Sequence, residues 1–405
     1  MATLHPFRAV RPIPEKAAEV ACVPYDVISS EEARALAEGN PISFLHVIRP
    51  EIDLPESVDE HDDAVYEMGA ENLERFVGAS YTVQESEPSV YVYRLIMNGR
   101  SQTGIFGCVS VAEYDNDTIL KHEKTRPAKE DDRTRHILTQ QAHAEPVMLT
   151  FRDDPEVNRI MEATMKTEPL YDFTAVDGIQ HTIWRVPESD NLVRAFQNVD
   201  RLYVADGHHR CKAASRAAEE MRKESASDGE AEYNFFPAVL FPMGQMHIMP
   251  YNRIVHTLPM SGEEFLRQLE QRMNVRRNEG KAAPEKPGDI CIYLDGVWHG
   301  ASLPPSKETS PVDQLDVARL NEYVLEPILG IKDPRTDSNL DFVGGIRGTA
   351  ELERLVDSGK AALAISMYAT SIQELIDVSD AGLLMPPKST WFEPKLRSGL
   401  LVHLF

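Results

Sequence analysis

Apolar residues follow two patterns along the chain, one typical of strands and one typical of helices. Short apolar runs and alternating segments, bounded by Gly, Pro, Asn or Asp, predict strands at 43–48, 88–97, 104–111, 118–120, 146–151, 201–205, 236–241, 246–255, 290–294, 297–303 and 361–367. Apolar residues that recur at helical spacing predict helices at 29–38, 60–76, 134–142, 156–167, 210–223, 261–272, 315–325 and 372–378. Residues 337–345 are expected to form a polar loop that ends in a Gly pair. Because both element types occur throughout the chain, we predict a mixed α/β fold.

The turn between the strand at 201–205 and the helix at 210–223 has a composition that suits anion binding. It consists, with the first helical residue, of Asp206, Gly207, His208, His209 and Arg210. Asp206 is placed to cap the helix or to bind a metal, and Gly207 allows a ligand to approach the backbone. The free N–H groups and the dipole of the helix start favour a phosphate. The alternative is an ordinary turn in which Asp206 caps the helix and the two histidines face water.

Residues 121–133 form a second polar stretch, in which ten of the thirteen side chains are ionisable. His122 and Glu123 follow directly on a predicted strand, and active-site residues of α/β folds collect at strand ends. A solvated, charged helix start is the alternative for most of this stretch. For Glu123 we favour a functional role.

Charge limits the kinds of partner. The 405 residues include 42 Lys and Arg against 65 Asp and Glu, which gives a formal net charge of −23. This charge argues against a general binder of nucleic acids or anionic membranes, although a local basic pocket can still hold a small phosphorylated ligand. The length predicts two or three packed units that share a cleft.

Cysteines and apolar runs indicate the compartment. The four cysteines are widely scattered and form no C-x-x-C pair, so they give no zinc ligand set and suit reduced thiols: Cys22, Cys108, Cys211 and Cys291. Met1 is followed by a polar stretch without an apolar signal core, and no run approaches the length of a membrane span. We therefore expect a cytoplasmic protein that binds no membrane.

Two segments near the ends of the sequence are further candidates. Pro24-Tyr25-Asp26 is consistent with a site lining and, equally, with a proline turn that fixes the N-terminal segment. Residues 385–399 contain three prolines, two hydroxyl side chains and the cations Lys388, Lys395 and Arg397. Free termini are rarely this rich in large apolar groups, so we expect this tail to dock against the body and to close the cleft.

Six segments of the chain, taken in order, resemble a known family. They are PYDVIS, NPISFLHVIRPE, KHEKTRPAKEDDR, YVADGHHR, LDFVGG and MPPKSTWFEPKLRSG. This order resembles the bacterial and archaeal family catalogued as domain of unknown function 1015 and covers nearly the whole chain. The DGHHR turn is also similar to that of free serine kinases of the ParB/sulfiredoxin-like superfamily, in which such a turn holds nucleotide phosphates.

The resemblance implies a kinase that transfers a phosphoryl group from ATP, or ADP, to free L-serine, with Mg²⁺ as cofactor. Such a reaction needs charge neutralisation and a base near the acceptor hydroxyl, so Glu123 is the expected base and Asp206 the expected Mg²⁺ ligand. The nucleotide is expected to contact residues of both polar stretches: Gly207, His208, His209, Arg210, His122 and Arg126. The substrate is expected to contact Lys129 and three residues of the tail: Lys388, Ser389 and Thr390.

Two other functions remain open at this point. One is a ParB-like regulatory module that binds a nucleotide and forms no small-molecule product. The other is a metal-dependent hydrolase that uses His122, His208 and His209, although these residues lack the usual spacing of metal ligands. The chain has neither a Walker A motif nor the motif set of protein kinases.

We expect three segments of sequence to contribute to one cleft. Residues 88–257 are predicted to form a ParB/sulfiredoxin-like, nucleotide-binding core. Residues 1–87 and 258–405 are predicted to be flanking α/β segments, the second of which carries the tail. The oligomeric state does not follow from the sequence.

Overall fold

Helices and strands are interspersed along the chain in the computed structural model, which describes residues 1–224 and 229–405. The strands are β1 (Val10–Pro12), β2 (Thr82–Gln84), β3 (Tyr91–Met97), β4 (Arg100–Ser110), β5 (Ile119–Leu120), β6 (Ala142–His143), β7 (Val147–Phe151), β8 (Tyr171–Thr174), β9 (Gln180–Arg185), β10 (Leu202–Asp206), β11 (Phe235–Pro242), β12 (Ile248–Met249), β13 (Tyr251–Val255), β14 (Asn274–Arg276), β15 (Asp289–Leu294), β16 (Val297–Ser302), β17 (Leu340–Gly344), β18 (Leu363–Met367), β19 (Trp391–Phe392) and β20 (His403–Leu404). The α-helices are α1 (Ala17–Val20), α2 (Ser30–Ala37), α3 (Leu45–Ile48), α4 (Asp63–Val77), α5 (Val111–Asp115), α6 (Pro127–Gln140), α7 (Pro155–Thr164), α8 (Ser189–Phe196), α9 (His208–Glu224), α10 (Gly262–Glu270), α11 (Asp316–Leu320), α12 (Gly348–Asp357) and α13 (Ile372–Asp380). The mixed α/β class predicted from the sequence is confirmed.

The chain divides into two compact units, the first formed by residues 1–246 and 394–405 and the second by residues 247–393. The sequence predicted three continuous segments with boundaries after residues 87 and 257, whereas the first unit combines two separate stretches of the chain. The three-segment division stays a prediction.

An eight-stranded mixed sheet forms the centre of the first unit. Its strand order is β5-β10-β7-β11-β4-β3-β9-β8. β10 is parallel to β5 and antiparallel to β7, whereas β7 and β11 are parallel. Side chains of β4, β7, β10 and β11 meet in one apolar core with the inner face of α9, where Cys211, Ala214 and Ala218 are buried. Small residues on α9 let this helix lie close to the sheet, which places its N-terminus at the end of β10.

The second unit contains a six-stranded antiparallel sheet with the order β14-β16-β15-β18-β13-β17. The strands predicted at 290–294 and 297–303 are β15 and β16, which pair as a hairpin through Asp295-Gly296. Leu352 of α12 packs against Ile254, Cys291 and Val343 of the sheet in a separate core. Each unit therefore has its own apolar interior.

Two predictions of secondary structure were wrong. The predicted strand at 43–48 is the short helix α3, which begins where the Ser43 hydroxyl accepts a hydrogen bond from the Leu45 N–H at 3.3 Å. Leu45, Val47 and Ile48 of α3 are buried, and His46 is partly exposed. The apolar residues of this segment therefore follow neither the strand period nor the helix period. The predicted loop at 337–345 contains β17, an edge strand paired with β13.

Residues 394–399 of the tail pack within the first unit, where Leu396, Arg397 and Ser398 are buried. Ser398 pairs with Cys22 through an antiparallel backbone bridge, and Leu400, Leu401 and Val402 are buried in the first unit. β20 then pairs with β6. Closure of a cleft by the tail stays a prediction.

None of the helices formed by the described residues is both long enough and apolar enough to cross a bilayer.

A charged pair links α3 to the turn that follows it in the first unit. The His46 Nδ1 lies 2.8 Å from an oxygen of Asp53, and its Nε2 lies 3.1 Å from the Asn40 carbonyl. Asn72 donates to the other Asp53 oxygen at 2.8 Å. The hydrogen bond to Asp53 outweighs partial burial and raises the pKa of His46. Acceptors at both ring nitrogens favour the imidazolium.

We predict that His46→Gln destabilises the protein more at about pH 5.5 than at about pH 9. A histidine whose pKa is raised on folding stabilises the folded protein. This stabilisation is fully present below the pKa of the unfolded state, about 6.5, and is lost as pH rises through the pKa of the folded state. Both side chains are partly exposed, so the difference in unfolding free energy is about 0.5–1 kcal/mol.

Urea unfolding at the two pH values measures this difference. His256→Gln is the matched control, because His256 has no carboxylate partner among the described residues and its Nδ1 faces the Lys360 carbonyl. An equal loss for His46→Gln at both pH values would contradict the prediction.

Candidate functional site

The turn after β10 brings the polar residues of the central motif to the start of a long helix. β10 has an irregular register against β7 between Val204 and Asp206, and Gly207 follows with φ +98°. α9 then starts at His208 and has 17 residues. The Gly207 carbonyl accepts the first helical hydrogen bond, from Cys211 N–H at 2.9 Å. The strand, turn and helix predicted here are confirmed.

The Asp206 carboxylate lies between two cations. Its Oδ2 is 3.4 Å from Nη2 of Arg210 and 3.5 Å from Nζ of Lys395, and 28 % of the side chain is exposed. Burial opposes ionisation, but the charges of Lys395 and Arg210 outweigh it and hold the pKa of Asp206 well below its usual range. Asp206 is therefore an ionised carboxylate with one open side.

Arg210 holds the turn in place from its buried side. Its guanidinium donates to the Pro146 carbonyl, lies 3.7 Å from an oxygen of Asp26, and is almost completely buried. Burial disfavours the charge, but Asp26, Asp206 and Glu145 outweigh it and raise the pKa. These contacts assign Arg210 a positioning role for Asp206, and its predicted contact with a nucleotide stays a prediction.

Two uncharged histidines lie beside the turn. The rings of His122 and His208 meet edge to face, with centroids 4.4 Å apart at 89°. Burial, and for His122 also the proximity of His208, lowers the pKa of each to about 3. Neither ring nitrogen of His122, nor Nε2 of His208, has a well-formed hydrogen bond. At neutral pH each ring can donate one N–H but supplies no counter-charge.

The second polar stretch lies against the helix start, as its predicted role requires. Glu123 Oε2 is 3.9 Å from His208 Nδ1, and the Glu123 side chain is 42 % exposed. The Arg126 N–H donates to His209 Nε2 at 3.1 Å. Lys129 lies in the first turn of α6 and is half-buried. The structure thus groups both polar stretches within the first unit.

Sequence reasoning did not assign three residues that complete this group. Asp26 and Lys395 pair with Arg210 and Asp206, although each stood in a segment already noted for its polar residues. Glu145 carried no signal in the sequence. It is buried, accepts from the Tyr25 N–H at 3.1 Å and lies 3.8 Å from Arg133; burial outweighs nearby Arg210 and Arg133 and raises its pKa.

Three further predicted residues belong to the second unit. The Lys388 carbonyl accepts from Arg253 at 3.1 Å, and the Lys388 ammonium lies 5.5 Å from the centroid of the Tyr251 ring. The Ser389 hydroxyl donates to the Pro386 carbonyl at 2.6 Å, and Thr390 is half-buried. Their contact with a substrate stays a prediction.

The arrangement around α9 can bind an anion and position a carboxylate beside it. The N-terminus of the helix favours phosphate oxygens, Lys395 adds a positive charge, and Glu123 supplies an accessible carboxylate. No group of three or more His, Cys, Asp or Glu side chains among the described residues has an arrangement that could hold a metal ion by itself. A metal bound here would need ligand oxygens besides those of Asp206.

Comparisons with known proteins give a family and several distant structures. A family model described as "Protein of unknown function (DUF1015)" matches residues 4–318. No curated protein matches the chain. Because the solved structures that follow are distant, similarity at their level does not transfer a ligand or an activity to this chain.

Three of these structures illustrate the level of similarity. A conserved hypothetical protein from Pyrococcus furiosus is 11 % identical, covers 73 % of this chain and 95 % of its own, and has a TM-score of 0.35. A free serine kinase in complex with AMP is 10 % identical, with coverages of 73 % and 91 % and a TM-score of 0.38. SbnI from Staphylococcus aureus, truncated at its C-terminus, is 14 % identical, with coverages of 74 % and 87 % and a TM-score of 0.38.

We predict that Gly207→Ala both destabilises the protein and weakens anion binding at the turn. A Cβ at Gly207 would lie 3.1 Å from Arg210 Nε and 3.1 Å from a methyl of Val147, in addition to the strain of a positive φ. The backbone strain costs about 1–2 kcal/mol, and the contact displaces the side chain that positions Asp206.

Gly296→Ala is the matched control, because Gly296 has φ +77° and open space around its Cβ position. Thermal unfolding and titration with inorganic pyrophosphate measure the two effects. Both variants should lose stability, but only Gly207→Ala should lose pyrophosphate affinity. Equal affinities in the two variants would contradict the role of the turn.

Proposed function

The chain belongs to the DUF1015 family of proteins of unknown function, and we propose that it is a small-molecule kinase. The proposed reaction transfers a phosphoryl group from ATP, or ADP, to the hydroxyl of free L-serine and forms O-phosphoserine. One observation carries the proposal: an ionised carboxylate, Asp206, is paired with Lys395 just before α9, and the accessible carboxylate of Glu123 lies 3.9 Å from His208, the first residue of that helix.

The nucleotide phosphates are proposed to bind over the turn. The N–H groups of the first helical turn have no intrahelical acceptors, so they can donate to phosphate oxygens at Gly207, His208 and His209. His208 and His122 are neutral and contribute N–H donors rather than charge. Lys395 and Arg126 supply the positive charge that phosphoryl transfer needs.

Mg²⁺ is the proposed cofactor, and Asp206 fits it as a single carboxylate ligand. Its low pKa keeps the carboxylate ionised, and part of the side chain is exposed. Mg²⁺ commonly takes one or two protein carboxylates together with phosphate oxygens and water. When bound, the ion neutralises charge on the transferred phosphoryl group. Arg210 then keeps the carboxylate in position from the buried side.

Glu123 is proposed as the general base. The serine hydroxyl oxygen forms a bond to the terminal phosphorus, whose bond to the bridging oxygen breaks, and the hydroxyl proton passes to the Glu123 carboxylate. The shorter nucleotide leaves with the bond electrons. His208 Nδ1, 3.9 Å from Glu123, can orient the carboxylate through a shared proton once the site closes on its substrates.

The choice of serine as acceptor comes from the resemblance of the sequence motifs to free serine kinases. Lys129 is the proposed contact for the serine carboxylate. For Lys388, Ser389 and Thr390, which belong to the second unit, a substrate contact stays a prediction. Since the Ser389 hydroxyl already donates to the Pro386 carbonyl, Lys388 is the strongest of these three.

We predict that the purified protein, given Mg²⁺ and ATP or ADP, phosphorylates free serine in a mixture of amino acids and small alcohols. Mass spectrometry detects any compound that gains a phosphoryl group. Another phosphorylated product would keep the kinase class and correct the substrate. Clear nucleotide binding without any product would contradict the proposal and favour a regulatory module.

We also predict that Glu123→Gln lowers kcat by at least about a hundredfold with little change in nucleotide affinity, because it removes only the base. Asp206→Asn should lower kcat and raise the Mg²⁺ concentration needed for half-maximal rate. Initial rates at varied nucleotide and Mg²⁺ concentrations measure both effects, and circular dichroism checks folding.

Glu156→Gln is the control for the loss of a carboxylate, since Glu156 lies on the surface in a pair with Arg159. It should have the activity of the unmodified chain. Near-normal rates in Glu123→Gln and Asp206→Asn would refute both assignments.

A further inference from the structure

A buried arginine in the second unit has fewer partners than its charge requires. Arg253 lies in β13 and is only 3 % exposed. Its Nη1 donates to the Tyr251 carbonyl and its Nη2 to the Lys388 carbonyl at 3.1 Å, while the guanidinium lies 5.3 Å from the centroid of the Phe342 ring. A guanidinium has five N–H donors, so most of its hydrogen-bonding capacity remains open.

No carboxylate among the described residues forms an ion pair with Arg253. Two carbonyl dipoles and an aromatic face compensate a buried charge only in part, and a buried ion without a counter-charge is costly. Burial accordingly lowers the pKa of the Arg253 guanidinium to about 10. An anion bound nearby would restore the missing charge.

Lys388, whose carbonyl accepts a hydrogen bond from Arg253, is a second cation of this unit. The Lys388 ammonium lies over the Tyr251 ring, and Lys388 has the left-handed backbone angle φ +56°, which is uncommon for a long side chain. Three hydrogen bonds hold this conformation: Arg253 to the Lys388 carbonyl, the Ser389 hydroxyl to the Pro386 carbonyl, and the Thr370 hydroxyl to the Ser389 carbonyl. The turn thus holds the Lys388 backbone against the Arg253 guanidinium and its ammonium over the Tyr251 ring.

We propose that Arg253 and Lys388 form a binding site for an oxyanion, a phosphate or carboxylate group of a small ligand, in the second unit. Arg253 provides directed N–H donors from the buried side, and the half-buried Lys388 provides a charge at the accessible side. The inference deepens the assignment of Lys388 and rests on the proposed function only for the identity of the natural ligand. Anion binding itself does not require the chain to be a kinase.

Trp391 offers a local probe of this site in the full chain. Its ring meets the Tyr251 ring edge to face, with centroids 5.1 Å apart. The protein labelled with 5-fluorotryptophan has three ¹⁹F resonances, and the one lost in Trp391→Phe belongs to this residue. Inorganic phosphate and acetate are titrated separately at constant ionic strength, with chloride as the reference anion.

We predict a saturable shift of the Trp391 resonance with phosphate or acetate and none with chloride. The ion that binds more tightly identifies the group as phosphate-like or carboxylate-like. Lys388→Gln and Arg253→Met should each weaken binding by about tenfold or more, as expected for a lost hydrogen bond to a charged group. Lys281→Gln, which removes an exposed lysine paired with Glu285, should bind as the unmodified chain does.

Lys388→Gln keeps the test decisive if Arg253→Met does not fold, because Lys388 is only half-buried. An unmoved Trp391 resonance with both anions would overturn the proposal. So would equal affinities of Lys388→Gln and the unmodified chain. A missing phosphorylated product in the kinase assay would leave this result unchanged, so the two proposals fail separately.

Discussion

The buried charge of Arg210 is the constraint on which the candidate site of the first unit depends. A guanidinium this deeply buried requires carboxylates around it, and Asp206, Asp26 and Glu145 supply them. These partners come from segments far apart in sequence, so folding must bring them together before the charge is tolerated. The same requirement holds Asp206 at the end of β10, two residues before the start of α9.

A second consequence concerns the histidines. Burial keeps His122 and His208, whose rings meet edge to face, uncharged at neutral pH, while Arg210 and Lys395 provide positive charge near Asp206. The site therefore separates two tasks: fixed cations hold charge, and uncharged imidazoles offer directed N–H groups.

Local patterns predicted the strand, the turn and the start of α9, because an apolar run, a glycine and an alanine-rich stripe each act within a few residues. The helix α3 was missed, since a segment buried on nearly all sides shows no period. The edge strand β17 was missed because the polar run 337–339 before it and the Gly pair at its end resemble a loop. The partners of the site depend on long-range contact. Asp26 and Lys395 stood in segments already noted, whereas Glu145 had no local signal, as its role exists only beside Arg133 and the Tyr25 N–H.

Arg210 and Arg253, two of the buried arginines, show how charge balance distinguishes a structural contact from an incomplete site. Arg210 has three carboxylates near it and a raised pKa, so its charge is satisfied within the protein. Arg253 has two carbonyls and an aromatic ring, no carboxylate partner among the described residues, and a lowered pKa. Arg210 thus stabilises the fold of the first unit, whereas Arg253 is a buried charge in the second unit without a carboxylate partner among the described residues. An anionic ligand bound beside the turn of Lys388 would supply the missing counter-charge.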